Sequence, residues 1–437
     1  RIRRRPGAVM PLPLDTSFAI IGAGAAGIWS ARTLRDAGYR NIALIEAERA
    51  AGGKCVAVEV DGKMFDTGCL AGSRADYGQV LALAATHGTG GVHFNVTHYS
   101  LERGRRERLL TWREQLRLYR ELLTCARLHF LEWRGIRRGE MTGLSDELCD
   151  SFAAVVERHG LQTVERKIRG MFIACGFGCP ADLPAAYAAN YGSPRMMRSE
   201  TGLFTWADGA QLMWRREAAA LAARGVQFRY DTRVTDICRD GPVQLVTDDG
   251  AVITADELIV ATDPSQLSLD ATAAERKVFS QVRHVDYRVM LCRIEGLPAD
   301  AVPTMHFIED NLVCGREGRP MALFRRHPGL DVFAVYVYGA GLDDEALAAN
   351  LSRDLAAIGG RLAEHLGTTR WGRYFPHFDC DGLRGGALDD LRALQGNRHT
   401  AYVGELANFA ILPRIMDNVE LTIRRLIAGE LPGQRAS

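Results

Sequence analysis

The residues with the clearest chemical purpose stand together near the amino terminus: Gly22-Ala23-Gly24-Ala25-Ala26-Gly27, with the carboxylate of Glu46 further on. In a GxGxxG turn the first glycine permits a tight bend and the second lets backbone approach a pyrophosphate. The third lets the following helix pack close to the sheet. The helix that starts here offers unpaired N–H groups and a positive dipole end to phosphates. A carboxylate at Glu46 accepts hydrogen bonds from both ribose hydroxyls and repels a 2′-phosphate, which disfavours NADP.

The elements around these residues are those the turn requires. Phe18–Ile21 is a short apolar strand, and Ile42–Ile45 is a second strand that ends at Glu46. Cys55–Val60 and Lys63–Phe65 alternate around Asp61-Gly62 and read as a hairpin. Helical periodicity runs through Thr111–Arg134, from Ser145 into Leu148–His159, and through Val164–Ile173, so roughly 105–200 reads as mainly helical. Ala210–Ala223 is a further helix. Short strands follow at Val226–Tyr230, Val234–Arg239, Val243–Thr247 and Ala251–Thr254. Leu258–Thr262 is fully apolar, as a central strand approaching a ligand should be. A second sheet region spans about 285–340, residues 343–366 read as helix, and Thr400–Val403 is a last strand before a helix through Leu426.

Two distant elements narrow the dinucleotide to FAD. Gly52-Gly53-Lys54 lets backbone run along the flavin side of the pyrophosphate, and the strand before Gly404-Glu405 places a carboxylate near the ribityl hydroxyls. A following helix N-terminus can face the ring carbonyl. NAD dehydrogenases have no need of that far strand.

Composition sets outer limits. The 437 residues are 47% hydrophobic and 24% charged, enough for a full core, and a formal charge of +1 removes any case for bulk nucleic-acid attraction. The ten cysteines are single apart from Cys175 and Cys179, which lack a second pair or histidines at zinc spacing. Reduced thiols in a cytoplasm, and no metal, are therefore expected. No run of eighteen apolar residues occurs, so no membrane span is expected. Arg1–Pro13 reads as a disordered arm. It is not expected to be a cleavable leader, because cleavage there would destroy the nucleotide turn.

With these motifs the chain resembles the flavin-containing amine oxidase superfamily, which includes monoamine oxidases, protoporphyrinogen oxidases and phytoene desaturases. Within it, the sequence is most similar to the bacterial polyunsaturated fatty acid double-bond isomerases, or linoleate isomerases. The shared pieces are Gly52–Cys55 (GGKC), 172–178 (FIACGFG), Pro184–Tyr187 (PAAY), Thr205–Gly209 (TWADG) and Met213. Tyr374–His377 (YFPH), Gln395-Gly396, and Gly404-Glu405 followed by Phe409 complete the set.

The resemblance implies an α/β fold with a Rossmann-type FAD domain (14–85, 205–283 and 370–437). It also implies a discontinuous α+β substrate domain (sheet and helices at 284–369) and a mainly helical insertion (86–204). It implies that Gly22, Gly24, Ala26, Gly27, Glu46, Gly53, Lys54, Gly68, Val234, Gly404, Glu405 and Phe409 hold a non-covalent FAD. Tyr187, Phe204 and Trp206 would line the substrate side, where aromatic faces stabilise a transient cation. Two departures stand out. The family's acid-binding arginine has no counterpart in Val92–Tyr99, and its phenylalanine gate is lost within Arg195–Thr201. Arg325 or Arg326, at the end of an apolar strand, could bind an acidic or carbonyl group instead. His377 is expected to be structural.

Because the cofactor carries the hydride, side chains need only orient and stabilise. One expected function is hydride abstraction from an activated C–H of a small, apolar or polyene-like substrate, with return of the hydride to another carbon. The other is an amine or amide oxidase or a desaturase. The helix after Glu405 lacks the tryptophan turn and the covalent-attachment cysteine of amine oxidases. A homodimer is compatible with the sequence.

Overall fold

The computed structural model describes residues 11–137, 139–192 and 202–435. Five strands form a parallel sheet in the order Gln227–Arg229, Asn41–Ile45, Ser17–Ile21, Glu257–Val260 and Thr400–Tyr402. The sheet is covered by the helices Ala25–Asp36, Ala210–Ala223 and Leu412–Ile427. Its apolar runs follow from burial on both faces. Ile20, Leu44 and Ile259 are each 0% exposed, worth about 2 kcal/mol apiece when removed from water. A small antiparallel sheet (Val234–Cys238, Val243–Thr247, Val252–Ala255) lies in the connection before Glu257–Val260.

The second large sheet has seven strands in the order Arg361–His377, Arg283–Glu295, Val332–Tyr338, Ala322–Arg325, Thr304–Ile308, Asn95–Ser100 and Arg105–Glu107. Side chains alternate along Arg283–Glu295. Val289 and Leu291 join the core shared with the helices of the 112–191 segment, while Met290, Cys292 and Ile294 pack with Leu347, Leu351 and Leu355 of the helix Asp344–Ala357.

Several sequence expectations need correction. The helix at 343–366 stops at Ala357, and Arg361–His377 is a strand of 17 residues paired with Arg283–Glu295. The spacing of Leu362 and Leu366 imitates a helical period, but most of this strand lies on a polar sheet edge. It also runs through the expected domain boundary at 370. Asn95–Ser100 and Arg105–Glu107 lie in the stretch expected to be mainly helical, yet they extend the seven-stranded sheet. The helix expected over Thr111–Arg134 is α-helical over Trp112–Arg127 and then widens into a π-turn at Leu128–Glu132.

Residues 1–10 of the expected arm lie outside the described residues, but Leu12 and Pro13 do not float. The Leu12 N–H donates to the Ile427 carbonyl at 2.8 Å, and the Tyr39 hydroxyl donates to the Leu12 carbonyl at 2.9 Å. Finally, Cys179 is not a free thiol: it is disulfide-bonded to Cys314, joining the segment after Phe177 to a loop of the large sheet.

Candidate functional site

A cavity of about 390 Å³ opens at the carboxyl ends of the parallel strands, and Ile21, Ile45, Ala261 and Val403 mark four of those ends on its wall. Open α/β sheets bind their ligands at that end. The glycine turn makes one side. Gly22 has φ +101° and donates to the Ile45 carbonyl at 2.8 Å. A Cβ on Gly27 would stand 1.8 Å from the Gly22 carbonyl oxygen, so this glycine serves close helix packing and does not itself line the cavity. A Cβ on Gly53 would come within 2.9 Å of the Gly24 Cα. The two glycine segments thus press together and leave a backbone cradle that side chains would fill.

Two helix N-termini converge on this cradle. Ala25–Asp36 begins after Gly24, Leu412–Ile427 begins after Ile411, and neither has a side-chain cap. Gly24, Ala25, Ala26, Ile411 and Leu412 all line the cavity. Uncapped first-turn N–H groups and the positive dipole end suit phosphate oxygens or a ring carbonyl.

Glu46 lines the same wall and is held by its neighbours. One carboxylate oxygen accepts from the Ala23 N–H at 2.6 Å and the other from the Glu48 N–H at 2.9 Å. Each oxygen keeps lone-pair capacity for a ribose hydroxyl. Val234 lies beside it, with Thr232 and Arg233. Further along, the Lys54 ammonium forms an ion pair with Glu405 and stands 4.7 Å from the centre of the Tyr374 ring. Gly404, at φ +108°, donates to Asn418 Oδ1 at 3.0 Å, and Asn418 Nδ2 donates in turn to the Gly139 carbonyl at 2.9 Å. Gly68 also lines the cavity, and a Cβ there would meet the Lys54 carbonyl oxygen at 1.9 Å.

Tyr374 reaches the cavity because its strand is bulged. The pairing of Arg283–Glu295 with Arg361–His377 shifts register between Val285 and Tyr287 and again between Arg283 and Val285. Each shift places an extra residue on the longer strand, first between Trp371 and Tyr374 and then between Tyr374 and His377, where Phe375 has φ +47°. Bulges re-aim side chains at sheet ends in this way. Arg373, Tyr374 and Pro376 are cavity residues as a result.

The acid–base inventory of the wall is narrow. No histidine lines the cavity among the described residues, and its three carboxylates are Glu46, Glu405 and Asp263. Asp263 accepts from Ser265 N at 3.0 Å, Ser265 Oγ at 2.8 Å and Gln266 Nε2 at 2.7 Å, and it pairs with His284 Nε2 at 2.5 Å. Burial pushes its carboxyl up, but these contacts outweigh burial and hold it below the usual range. Burial pushes the Cys175 thiol up, which keeps it protonated. The remaining wall includes Leu70, Ala71, Tyr77, Phe177 and Ile415.

The four residues expected to act on substrate lie elsewhere. Phe204, Trp206, Tyr187 and Arg326 are 0%, 1%, 2% and 3% exposed, and none lines the cavity. A side chain that touches a ligand must be reachable from the ligand's space, and these are sealed behind it. Tyr187 packs edge-on against Phe375, and its hydroxyl accepts from the Phe378 N–H at 3.0 Å. Phe204 packs between Tyr77 and Trp206. Arg326 pairs with Asp66 and donates to the Trp206 carbonyl. Arg325 stacks over Phe333 at 4.6 Å and donates to the Pro298 carbonyl at 3.2 Å. Phe409, expected against the cofactor, is 0% exposed among Phe172, Phe177 and Tyr187. His377 is buried, with Nδ1 2.8 Å from the Phe375 carbonyl, in keeping with a structural role. The expected loss of a gate within Arg195–Thr201 concerns residues that, from 195 to 201, lie outside the described ones.

Sequence reading missed Asp263 and its partner His284, although Asp-Pro after a central strand is a turn signal. It also missed Asn418 and Arg414. Arg414 bonds Asn190 at 2.8 Å and Asp76 at 3.0 Å, tying three segments around the wall. Polar residues inside an apolar helical period carry no mark of such partners.

A parallel sheet with a GxGxxG turn, an acid on the second strand and a distant Gly-acid strand defines a dinucleotide-binding flavoprotein fold. Residues 25–377 match the family of flavin containing amine oxidoreductases, and the chain belongs to that family. Membership implies a flavin cofactor, and the cradle described above fits one. No curated protein matches the chain significantly. Among solved structures, it is similar to a conjugated-linoleic-acid-producing fatty acid isomerase from P. acnes, at 22% identity and a TM-score of 0.86. That alignment covers 95% of this chain and 99% of the other. It is also similar to a putrescine oxidase solved with putrescine, at 17% identity and a TM-score of 0.68, over 95% of this chain and 99% of the other. At these identities the likeness concerns the fold.

Proposed function

We propose that this protein is an FAD-dependent enzyme that breaks an activated C–H bond of a small, largely apolar substrate by hydride removal, and returns the hydride to another carbon of the same molecule. The carrying observation is the acid–base inventory of the cavity. Its carboxylates are engaged by backbone, by Lys54 or by His284, and no histidine is present, so among the described residues the wall offers no free general base. Hydride chemistry needs none. FAD, when bound, supplies the hydride acceptor.

The chain's residues then bind and orient. Glu46 and Val234 would hold the adenosine end, the glycine cradle and the Ala25 helix the pyrophosphate, and Lys54, Glu405 and the Leu412 helix the far end. Leu70, Ala71, Tyr77, Phe177 and Tyr374 supply an apolar and aromatic surface that excludes water and favours a polyene chain over a charged amine. For isomerisation one C–H bond breaks, another forms and the double bond moves, so no oxidant is consumed. FAD is taken as non-covalent: no cysteine lies between Gly404 and the end of the helix Leu412–Ile427. Acid precipitation should therefore release the flavin. Flavin that stays on the protein unless Cys69 is replaced would overturn that reading.

The second reading is an oxidase or desaturase, supported by the fold shared with putrescine oxidase. Anaerobic incubation with polyunsaturated fatty acids and, separately, with diamines distinguishes the two. A new conjugated product without peroxide or lasting bleaching of the flavin supports the isomerase. Bleaching that persists until oxygen is admitted, with peroxide then formed, supports the oxidase.

A further inference from the structure

We infer that the helix Trp112–Arg127 and the turn Leu128–Glu132 form a docking face for a membrane surface rich in anionic lipid, independently of the reaction proposed above. One side of the helix is committed to the protein. Leu118, Glu121 and Cys125 are buried, and Glu121 accepts from Thr163 N and Val164 N, both at 2.8 Å, to cap the helix Gln162–Ala174.

The opposite side is apolar and uncovered. Trp112, Leu116, Tyr119 and Leu123 recur at helical spacing with 66%, 59%, 68% and 73% exposure, and Phe130 and Leu131 follow at 77% and 68%. Every exposed large aromatic side chain among the described residues belongs to this set. The stripe is roughly 16 Å long between Trp112 and Leu123, at 1.5 Å per residue. A contiguous apolar face of this kind on a soluble chain marks an interaction site.

Charge selects the partner. Arg113, Arg117 and Arg120 are exposed along one edge of the stripe. Both helix carboxylates are turned to other work: Glu121 as above, and Glu114 in the Thr111 capping box and with Arg166 at 3.0 Å. The exposed face therefore combines an apolar stripe, interfacial aromatics and a guanidinium row, the composition of a helix that lies in a lipid interface. A second copy would bring its own arginines against these, and the one exposed carboxylate of the face, Glu132, is already paired with Arg127 at 3.3 Å. Anionic headgroups supply that charge. The helix beneath, Gln162–Ala174, runs directly into Cys175 and Phe177 of the cavity wall, so a docked face would sit one helix away from the cavity.

The test is co-sedimentation of the flavin-loaded protein with phosphatidylcholine vesicles containing about one third phosphatidylglycerol, against phosphatidylcholine alone. Pelleting with the anionic vesicles only, weakened by salt, is expected. The variant R113Q/R117Q/R120Q should partition on the order of a hundredfold less, about fivefold per arginine. L116S/L123S should abolish pelleting while melting temperature and flavin content stay unchanged. No pelleting with anionic vesicles at low salt, or equal pelleting with both compositions, overturns the inference. So does a dimer by light scattering that L116S/L123S converts to monomer, since a second copy would then cover the face.

Discussion

Arg326 and Asp66 form a buried ion pair that joins the far end of the large sheet to the hairpin beside the cavity. Asp66 also accepts from the Ala210 N–H at 2.7 Å, and Arg326 donates to the Trp206 carbonyl, so the pair fastens three segments at once. Burial pushes the Asp66 carboxyl up and Arg326 pulls it back. Removing the arginine alone leaves a sealed carboxylate. R326M should cost about 3–5 kcal/mol of stability in urea unfolding, while the fraction that retains flavin keeps its turnover. The double variant D66N/R326M should recover part of that loss.

The contact between Gly24 and Gly53 gives a second prediction. A methyl group at Gly53 meets Gly24 backbone at 2.9 Å in a conformation with φ +52°. G53A should purify folded by circular dichroism but with a flavin-to-protein absorbance ratio well below wild type. Roughly 1–2 kcal/mol of backbone strain alone corresponds to about tenfold weaker binding.

Lys54 and Glu405 meet across 351 positions of sequence, so each holds the other's segment at the cavity wall. E405A should leave Lys54 without its partner and lower FAD affinity about tenfold or more, read by fluorescence titration of the apoprotein. E405Q, which keeps an acceptor, should fall between the two.

Acid stability has two separable windows. Burial, and with it the proximity of His284, lowers His377 from 6.5 to about 4 against the pull of its bond to the Phe375 carbonyl. The folded state therefore binds the proton less readily than the unfolded chain. Its contribution is complete above about 6.5 and is lost as pH falls towards 4. Glu275 lies lower: burial raises it, but bonds from Arg239, Tyr402 and the Thr272 N–H outweigh burial and hold it at about 2. That contribution is present above about 4.5 and is lost as pH falls through 2. Thermal melts from pH 7 to 3 should decline in both windows, and H377Q should flatten only the upper one.

The cofactor side of the fold was legible because its chemistry needs fixed residue types at fixed spacing. Gly22, Gly24, Gly27 and Glu46 sit on elements whose apolar runs are buried on both faces. The substrate side was not legible in this way. Tyr187, Phe204 and Trp206 have the right residue types, but nothing in their neighbours tells a cavity wall from the layer behind it. Both are apolar, and only three-dimensional packing separates them. The first part of the strand Arg361–His377, up to residue 366, was read as helix because its polar edge position removes the alternation that identifies a strand. The Cys179–Cys314 bond joins residues 135 apart in the sequence, a pairing no local spacing encodes.

The strand Arg361–His377 runs from the outer edge of the large sheet to the cavity, paired through its bulges with Arg283–Glu295 from Glu295 at one end to Arg283 at the other. A hinge requires a short stretch where few bonds cross, and this connection is a laddered beam. The cofactor cleft and the large sheet are thereby joined: the strand that ladders the sheet edge also carries Tyr374, whose ring lies against the Lys54 ammonium. Any opening of the cleft away from the large sheet would have to bend or break this ladder.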